Sequence, residues 1–508
     1  MKTDFDVIVI GAGINGAGIA RDAAMRGLKV LLVDKGDIGG GTSAASTRLI
    51  HGGLRYLEHF EFGLVRESLR ERETLLRIAP HLVRPLLMTI PLYRDRGRGW
   101  ATIRAGMIAY DLLSWRKSLP RHRMLSAGET LRRLPGLNGE GLVGSAVYYD
   151  AQVEFAERLV VENVLAAVQH GATILTYRRV EGFVIEEGLV AGVRLEGNKA
   201  DQFRAKVVIN AAGPWVDRLL DETNTKSERL IGGTKGSHVV VAPFAGAPES
   251  AVYLEAVSDR RPFFIIAWNG NYLIGTTDVR FEGDPGEVRA DGWEIDYLLS
   301  ETNRAFPSAA LNRDRVLYTY AGVRPLPFTT NHSEQSITRR HFLREHPQFK
   351  NLVSVVGGKL TTYRSLAEEC VDLVLRKLGK GFKRSETSCV PLPGATDFAP
   401  SNPCERLSRI WGSRAEEVAE LAKRLKCDAF AAEIVFAFEN EFAKTLADCF
   451  LRRTMIGLNA DFGLSEIEAA AEVGRRFLGW SDDRARREVE GYKQEISNRI
   501  ANRSHRGE

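Results

Sequence analysis

Gly11, Gly13 and Gly16 stand in the spacing G-x-G-x-x-G, and Asp34 follows about twenty residues later. Glycines so placed let a backbone turn approach a pyrophosphate. The start of the following helix attracts its charge, and an acidic side chain ending the next strand accepts hydrogen bonds from an adenosine ribose. The pattern predicts a dinucleotide site. A second segment, Gly39 to Tyr56, is rich in small and hydroxyl-bearing residues, with Thr42, Ser43, Ser46 and His51 among them. Its many amides and hydroxyls suit an extended, ring-bearing cofactor, which favours FAD over a nicotinamide dinucleotide.

The elements around these residues must hold them in register. Val7 to Ile10 and Leu28 to Val33 are apolar runs of the kind found in buried parallel strands. Between them, Ile14 to Met25 is alanine-rich and ends at Gly27, a suitable residue just past a helix. This is a βαβ unit. Two β-rich runs flank Glu186-Glu187-Gly188 and predict a hairpin, and Val207 to Asn210 predicts a further buried strand. From about Thr234 to Gly322 short aromatic-rich strands alternate with turn residues, as in an antiparallel sheet. Past Pro391 the sequence turns helical and strongly charged. Ser465 with Glu468 predicts a capping box, and Ser481 before Asp482 and Asp483 predicts another helix start.

Length and composition narrow the class. A chain of 508 residues exceeds what one core supports, so two or three domains are expected. With 44% hydrophobic and 27% charged residues, the chain is neither fibrous nor largely disordered. A formal charge of +5 is a mild attraction for anions and gives no sign of a nucleic-acid partner. The five cysteines, Cys370, Cys389, Cys404, Cys427 and Cys449, form no C-x-x-C pair, so neither a disulfide framework nor a metal site is expected, and a reducing compartment fits. No signal-peptide pattern and no apolar run of about 20 residues is present, so export is not expected and any membrane contact is peripheral.

The stretch Leu49-Ile50-His51-Gly52-Gly53-Leu54-Arg55-Tyr56-Leu57-Glu58 resembles a segment of the FAD-dependent, quinone-linked glycerol-3-phosphate dehydrogenases. Asn210 to Trp215, Tyr320 to Pro325 and Gly357 to Arg364 match the same family, as do Lys235 to His238 and Ile274 to Asp278. The likeness covers residues 1 to about 395 well and the remainder less securely. It implies a Rossmann-like α/β FAD domain of the glutathione-reductase type, an antiparallel β-sheet substrate domain and a helical C-terminal domain. The implied boundaries are 1–80, 145–230 and 330–390 for noncovalently held FAD, 81–144 and 231–329 for substrate, and 391–508 for the helical part.

The resemblance also implies a function. Glycerol 3-phosphate would be oxidised to dihydroxyacetone phosphate, with electrons passing to a membrane quinone at the inner face of the cytoplasmic membrane; a homodimer is an assembly it allows for. Gly213, Gly358, Lys359, Leu360 and Thr361 join the residues already named around the cofactor. Arg55, Tyr56, Arg324, Arg339 and Thr361 are carried over as substrate contacts, because guanidinium forks suit a phosphate dianion. His238 is the preferred proton acceptor, with Arg324 or Lys359 supplying positive field at the alkoxide. Two stretches depart from the family: Phe155-Ala156-Glu157 stands where Asp-Asp-Ala is commoner, and Leu451 and Met455 replace a frequent Trp and Lys.

Other readings remain at this stage. They are a four-carbon polyol phosphate such as erythritol phosphate as substrate, an oxygen-using glycerophosphate oxidase, an amine or amino-acid oxidase of the same fold, and a flavin-binding module without catalysis.

Overall fold

The computed structural model describes residues 2–58, 60–94, 98–115, 117–197, 201–223, 225, 228–329, 337–398 and 406–500. Cys404 and the basic tail with Arg503 and Arg506 lie outside the described residues.

Strand β1 (Lys2–Ile10), helix α1 (Ile14–Met25) and strand β2 (Val30–Val33) form the βαβ unit expected from the apolar runs. β1 pairs parallel with β2, Ile8 opposite Leu31, and on its other side parallel with Gln202–Asn210, which pairs parallel with Leu352–Val356. A strand flanked on both sides and covered on both faces has no solvent face, so its residues need not alternate. Val7, Ile8 and Val9 are fully buried, and each contributes about 1.5–3 kcal/mol relative to exposure. The strands Val180–Glu186 and Leu189–Leu195 form the predicted hairpin, which adds antiparallel to Gln202–Arg204.

The second sheet has ten strands. Thr234–Val241 lies between Asn271–Gly275 and Val316–Arg324, and Val83–Tyr93 pairs along its length with Leu142–Val153. All its pairs are antiparallel except one: Ala251 and Val252 run parallel to Met88 and Thr89. Leu49–Ile50 also joins this sheet, opposite Ala151 and Gln152. The segment that follows the dinucleotide turn therefore reaches from the first sheet to the edge of the second.

The C-terminal region is helical, with Ala415–Leu425, Ala429–Asn440, Ile467–Phe477 and Asp482–Ile500 around buried Ile434, Phe450 and Tyr492. The predicted capping box at Ser465 does not form. Its hydroxyl donates to Asp461 Oδ2 at 2.6 Å, and the same aspartate accepts from the Gly463 and Ser465 amides. A tight turn has taken the hydroxyl that a cap would need. At Ser481 the expectation holds, its Oγ accepting from Arg484 N–H at 3.2 Å.

Candidate active site

β1 gives way to the turn at Gly11, whose φ of +103° disfavours any side chain, and a Cβ there would lie 2.5 Å from the Ala211 carbonyl oxygen. A Cβ at Gly16 would meet the Gly11 oxygen at 1.8 Å, so only glycine lets α1 start against the strand it follows. The opening of α1 carries no acidic side chain, and Gly13 at its head lines a cavity of about 650 Å³. That is an anion seat at the positive end of a twelve-residue helix. Asp34 lines the same cavity. Its Oδ2 accepts from Ala12 N–H at 2.6 Å and its Oδ1 from Gly36 N–H at 2.8 Å. Burial pushes this carboxyl above the usual range, against the two amide bonds.

Most of the cofactor residues expected from sequence meet here. Gly11, Gly13, Asp34, Thr42, Ser43 and Ser46 line the cavity, as do Gly213, Gly358, Lys359 and Leu360. The hydroxyls also hold the protein to itself: Ser43 Oγ accepts from Ile14 N–H at 3.0 Å, Thr42 Oγ1 donates to Val323 O at 2.8 Å, and Ser46 Oγ accepts from Arg48 N–H. Gly16 packs behind the turn. His51 and Thr361 lie elsewhere, with His51 N–H donating to Thr361 Oγ1 at 3.2 Å.

His51 instead lines a second cavity of about 490 Å³, together with Arg55, Tyr56, Arg324 and Arg339. Asp278, at the end of the Gly275-Thr276-Thr277 run, organises the cationic end. Its Oδ1 receives Arg324 Nη1 at 3.0 Å and its Oδ2 receives Arg339 Nη2 at 2.8 Å. Arg324 also reaches Thr276 Oγ1 at 3.0 Å, while Arg339 Nη1 is buried without a hydrogen-bond partner among the described residues. Burial alone would raise the Asp278 pKa, but the two guanidinium groups hold it below the usual carboxylate value. The wall thus carries two arginines for one carboxylate.

Lys359 connects the cavities. It lines the first, and its Nζ stands 3.8 Å from the centre of the Tyr56 ring, which lines the second. Among the described residues this ammonium has no hydrogen-bond partner, and burial drops its pKa to about 7. Burial likewise lowers His51 to about 4, so its imidazole is neutral at physiological pH. His238 lines neither cavity among the described residues. Its ring stacks on Tyr320 at 4.8 Å, and its Nε2 meets Thr47 Oγ1 at 2.9 Å. Only Thr47 faces the second cavity.

The matches to known proteins agree with this arrangement. A family described as FAD dependent oxidoreductase matches residues 6–369, and one described as the C-terminal domain of alpha-glycerophosphate oxidase matches residues 385–485. A glycerol-3-phosphate dehydrogenase of Synechocystis is 46% identical over 97% of this chain and 96% of its own length. The chain belongs to the FAD-dependent glycerol-3-phosphate dehydrogenase family. A family relative from Brucella abortus, a D-erythritol 1-phosphate dehydrogenase, is 36% identical over 94% of this chain and 98% of its own. The solved structure of a Bacillus halodurans glycerol-3-phosphate dehydrogenase complexed with FAD is similar at TM-score 0.79 and 28% identity, covering 98% of this chain and 96% of that one.

At one of the two places where this chain departs from the family pattern, the structure supplies a reason. Glu157, within the unusual Phe155-Ala156-Glu157, accepts a two-pronged bond from Arg48, both contacts at 2.7 Å and both side chains buried. Arg48 sits at φ +60° in the segment between the two cavities, with its guanidinium 4.4 Å from the Trp268 ring centre. The fork pins that segment. Sequence reasoning missed it, along with Asp278 and Thr47. A buried Arg–Glu pair separated by 109 residues leaves no local spacing to detect.

Proposed function

We propose that the protein oxidises sn-glycerol 3-phosphate at its C2 hydroxyl to dihydroxyacetone phosphate and delivers the electrons to a membrane quinone. One observation carries the reading: Arg324 and Arg339, both held by Asp278, face a cavity joined to the cofactor site through the Lys359–Tyr56 contact. The glycines and open helix terminus of the first cavity fit the pyrophosphate of FAD, and FAD when bound supplies the hydride acceptor. The arginines attract the phosphate by their charge, and Nη1 of Arg339, unpartnered among the described residues, offers it a donor already stripped of water. An imidazole nitrogen of His51 takes the hydroxyl proton. Lys359 supplies positive field at the developing alkoxide, in surroundings dry enough to magnify it.

A four-carbon polyol phosphate is the second reading, favoured by the 490 Å³ of the cavity, which is roomy for a three-carbon substrate. Anaerobic bleaching of the flavin band distinguishes them. Fast bleaching by glycerol 3-phosphate, and slow or none by erythritol phosphate and free glycerol, is the expected result. Absence of bleaching by both phosphates would remove the phosphate role of the arginines.

The same reading places the protein peripherally at the inner face of the cytoplasmic membrane. No helix among the described residues is long and apolar enough to cross a membrane. Phe60, Leu112 and Trp115 are 79%, 62% and 72% exposed, near helices that line the second cavity, and large exposed apolar side chains suit a lipid surface. Flotation with quinone-containing anionic liposomes checks it; protein left at the bottom of the gradient would oppose it.

A further inference from the structure

One wall of the cofactor cavity comes from neither sheet. Arg452 and Glu495 line it, the first on a π-helical turn at Cys449–Arg453 and the second on the last helix, Asp482–Ile500. Both belong to the C-terminal helical domain.

The location within the cavity is fixed by its neighbours. Lys359 and Leu360 mark the end next to the substrate cavity, where a flavin ring must lie to receive a hydride. Asp34, positioned for an adenosine ribose, marks the other end. Asp37, three residues beyond Asp34, lines the cavity and is gripped from the C-terminal domain: Arg453 forks its two oxygens at 2.8 Å each, and Arg452 Nε bonds Oδ2. Tyr177, also in the lining, donates its hydroxyl to Asp448 Oδ1, which Arg452 Nη2 meets at 2.7 Å. Two lining residues of the first domain are therefore held by side chains whose only route into place is the docking of the second. The buried arginines hold Asp37 at a pKa of about 2 despite desolvation, so the carboxylate stays charged and the grip persists across the physiological range.

We propose that the C-terminal helical domain forms the outer wall of the adenosine half of the FAD site through Arg452 and Glu495, so that cofactor retention and docking of that domain are one coupled equilibrium. A guanidinium and an acceptor-only carboxylate suit the hydroxyl-rich ribose and the amino edge of a purine. Coupling of this kind is reciprocal: whatever factor FAD adds to docking, docking adds to FAD affinity.

The test uses the full-length chain stripped of flavin, and no substrate, so its outcome is independent of which polyol phosphate is oxidised. Cleavage of the C-terminal helices by a protease is followed with FAD, with ADP or with FMN as probe. FAD and ADP are expected to slow cleavage at least tenfold, and FMN to leave it unchanged. The Kd for FAD, read by flavin fluorescence, is expected to rise about tenfold in Arg452→Gln. It should also rise in Arg409→Ala, which loses the part-exposed docking contact to Glu154 outside the cavity. Equal cleavage with and without ADP, equal protection by FMN, or an unchanged Kd in Arg409→Ala with released C-terminal helices would each overturn the proposal. The ADP comparison needs no variant, so misfolding of Arg452→Gln cannot hide a failure.

Discussion

The ammonium of Lys359 lies 3.8 Å from the centre of the Tyr56 ring, buried and without a hydrogen-bond partner among the described residues. A charge so placed is held by the ring face and by the nearby carboxylates of Glu61 and Glu67. Burial penalises the charged form, which is why the pKa falls to about 7 from the ordinary lysine value. Between those two values the folded chain binds fewer protons than the unfolded one, so this residue makes stability rise with pH across that window.

The pH dependence of catalysis follows from the same shift. As pH climbs through about 7, Lys359 loses the charge that assists an alkoxide and a dianion, so kcat/KM falls. On the acid side His51, at about 4, is already neutral, and the substrate's second phosphate ionisation near 6 sets the limb. A pH profile checks this: Lys359→Met should lower the plateau and abolish the alkaline limb, and an unaltered alkaline limb would assign it to another group.

Arg339→Met should raise KM for glycerol 3-phosphate by about a hundredfold, close to 2.7 kcal/mol, because the phosphate loses a charge-assisted, largely desolvated donor. The slow reaction with unphosphorylated glycerol should hardly change. Steady-state kinetics on both substrates separate the outcomes: an equal loss on both would move Arg339 from the phosphate to the reacting centre.

His51→Gln should lower kcat by about 10²–10⁴, the range of general-base catalysis. His238→Gln should cost much less, since its ring meets the cavity only through Thr47. Stopped-flow rates of flavin reduction in the two variants decide between them. The reverse order would restore His238 as the proton acceptor, acting through the threonine hydroxyl.

Glu157→Gln should destabilise the fold by about 3–5 kcal/mol, the usual cost of leaving one partner of a buried pair uncompensated. Because Arg48 lies between the two cavities, bound flavin should fall as well. Thermal unfolding followed by both circular dichroism and flavin release measures this. A normal flavin content at reduced stability would confine the pair to a structural role.

The dinucleotide turn was legible because its constraint is local: Gly11 and Gly16 touch backbone only a few residues away or directly across one strand pair. The hairpin at Glu186-Glu187-Gly188 was legible for the same reason. His238 was harder. Every residue of Thr234–Val241 is buried, so the two-residue alternation that tells a cavity face from a core face is absent. His51 was assigned to the cofactor site, whereas it lines the second cavity, since Gly52 and Gly53 turn the chain just beyond it. Arg452 could not be read at all, being 415 residues from the Asp37 it grips.

β1 pairs with Gln202–Asn210, and that strand in turn with Leu352–Val356. On a ribosome adding about 5–20 residues per second, the opening βαβ unit would wait roughly 10–35 s before Gln202–Asn210 could cover the free edge of β1. Throughout that interval the apolar run Val7 to Ile10 presents an unpaired parallel edge, the kind of surface that recruits other nascent chains. Production of this enzyme in quantity should therefore depend on slow translation or on chaperones that shelter an early edge.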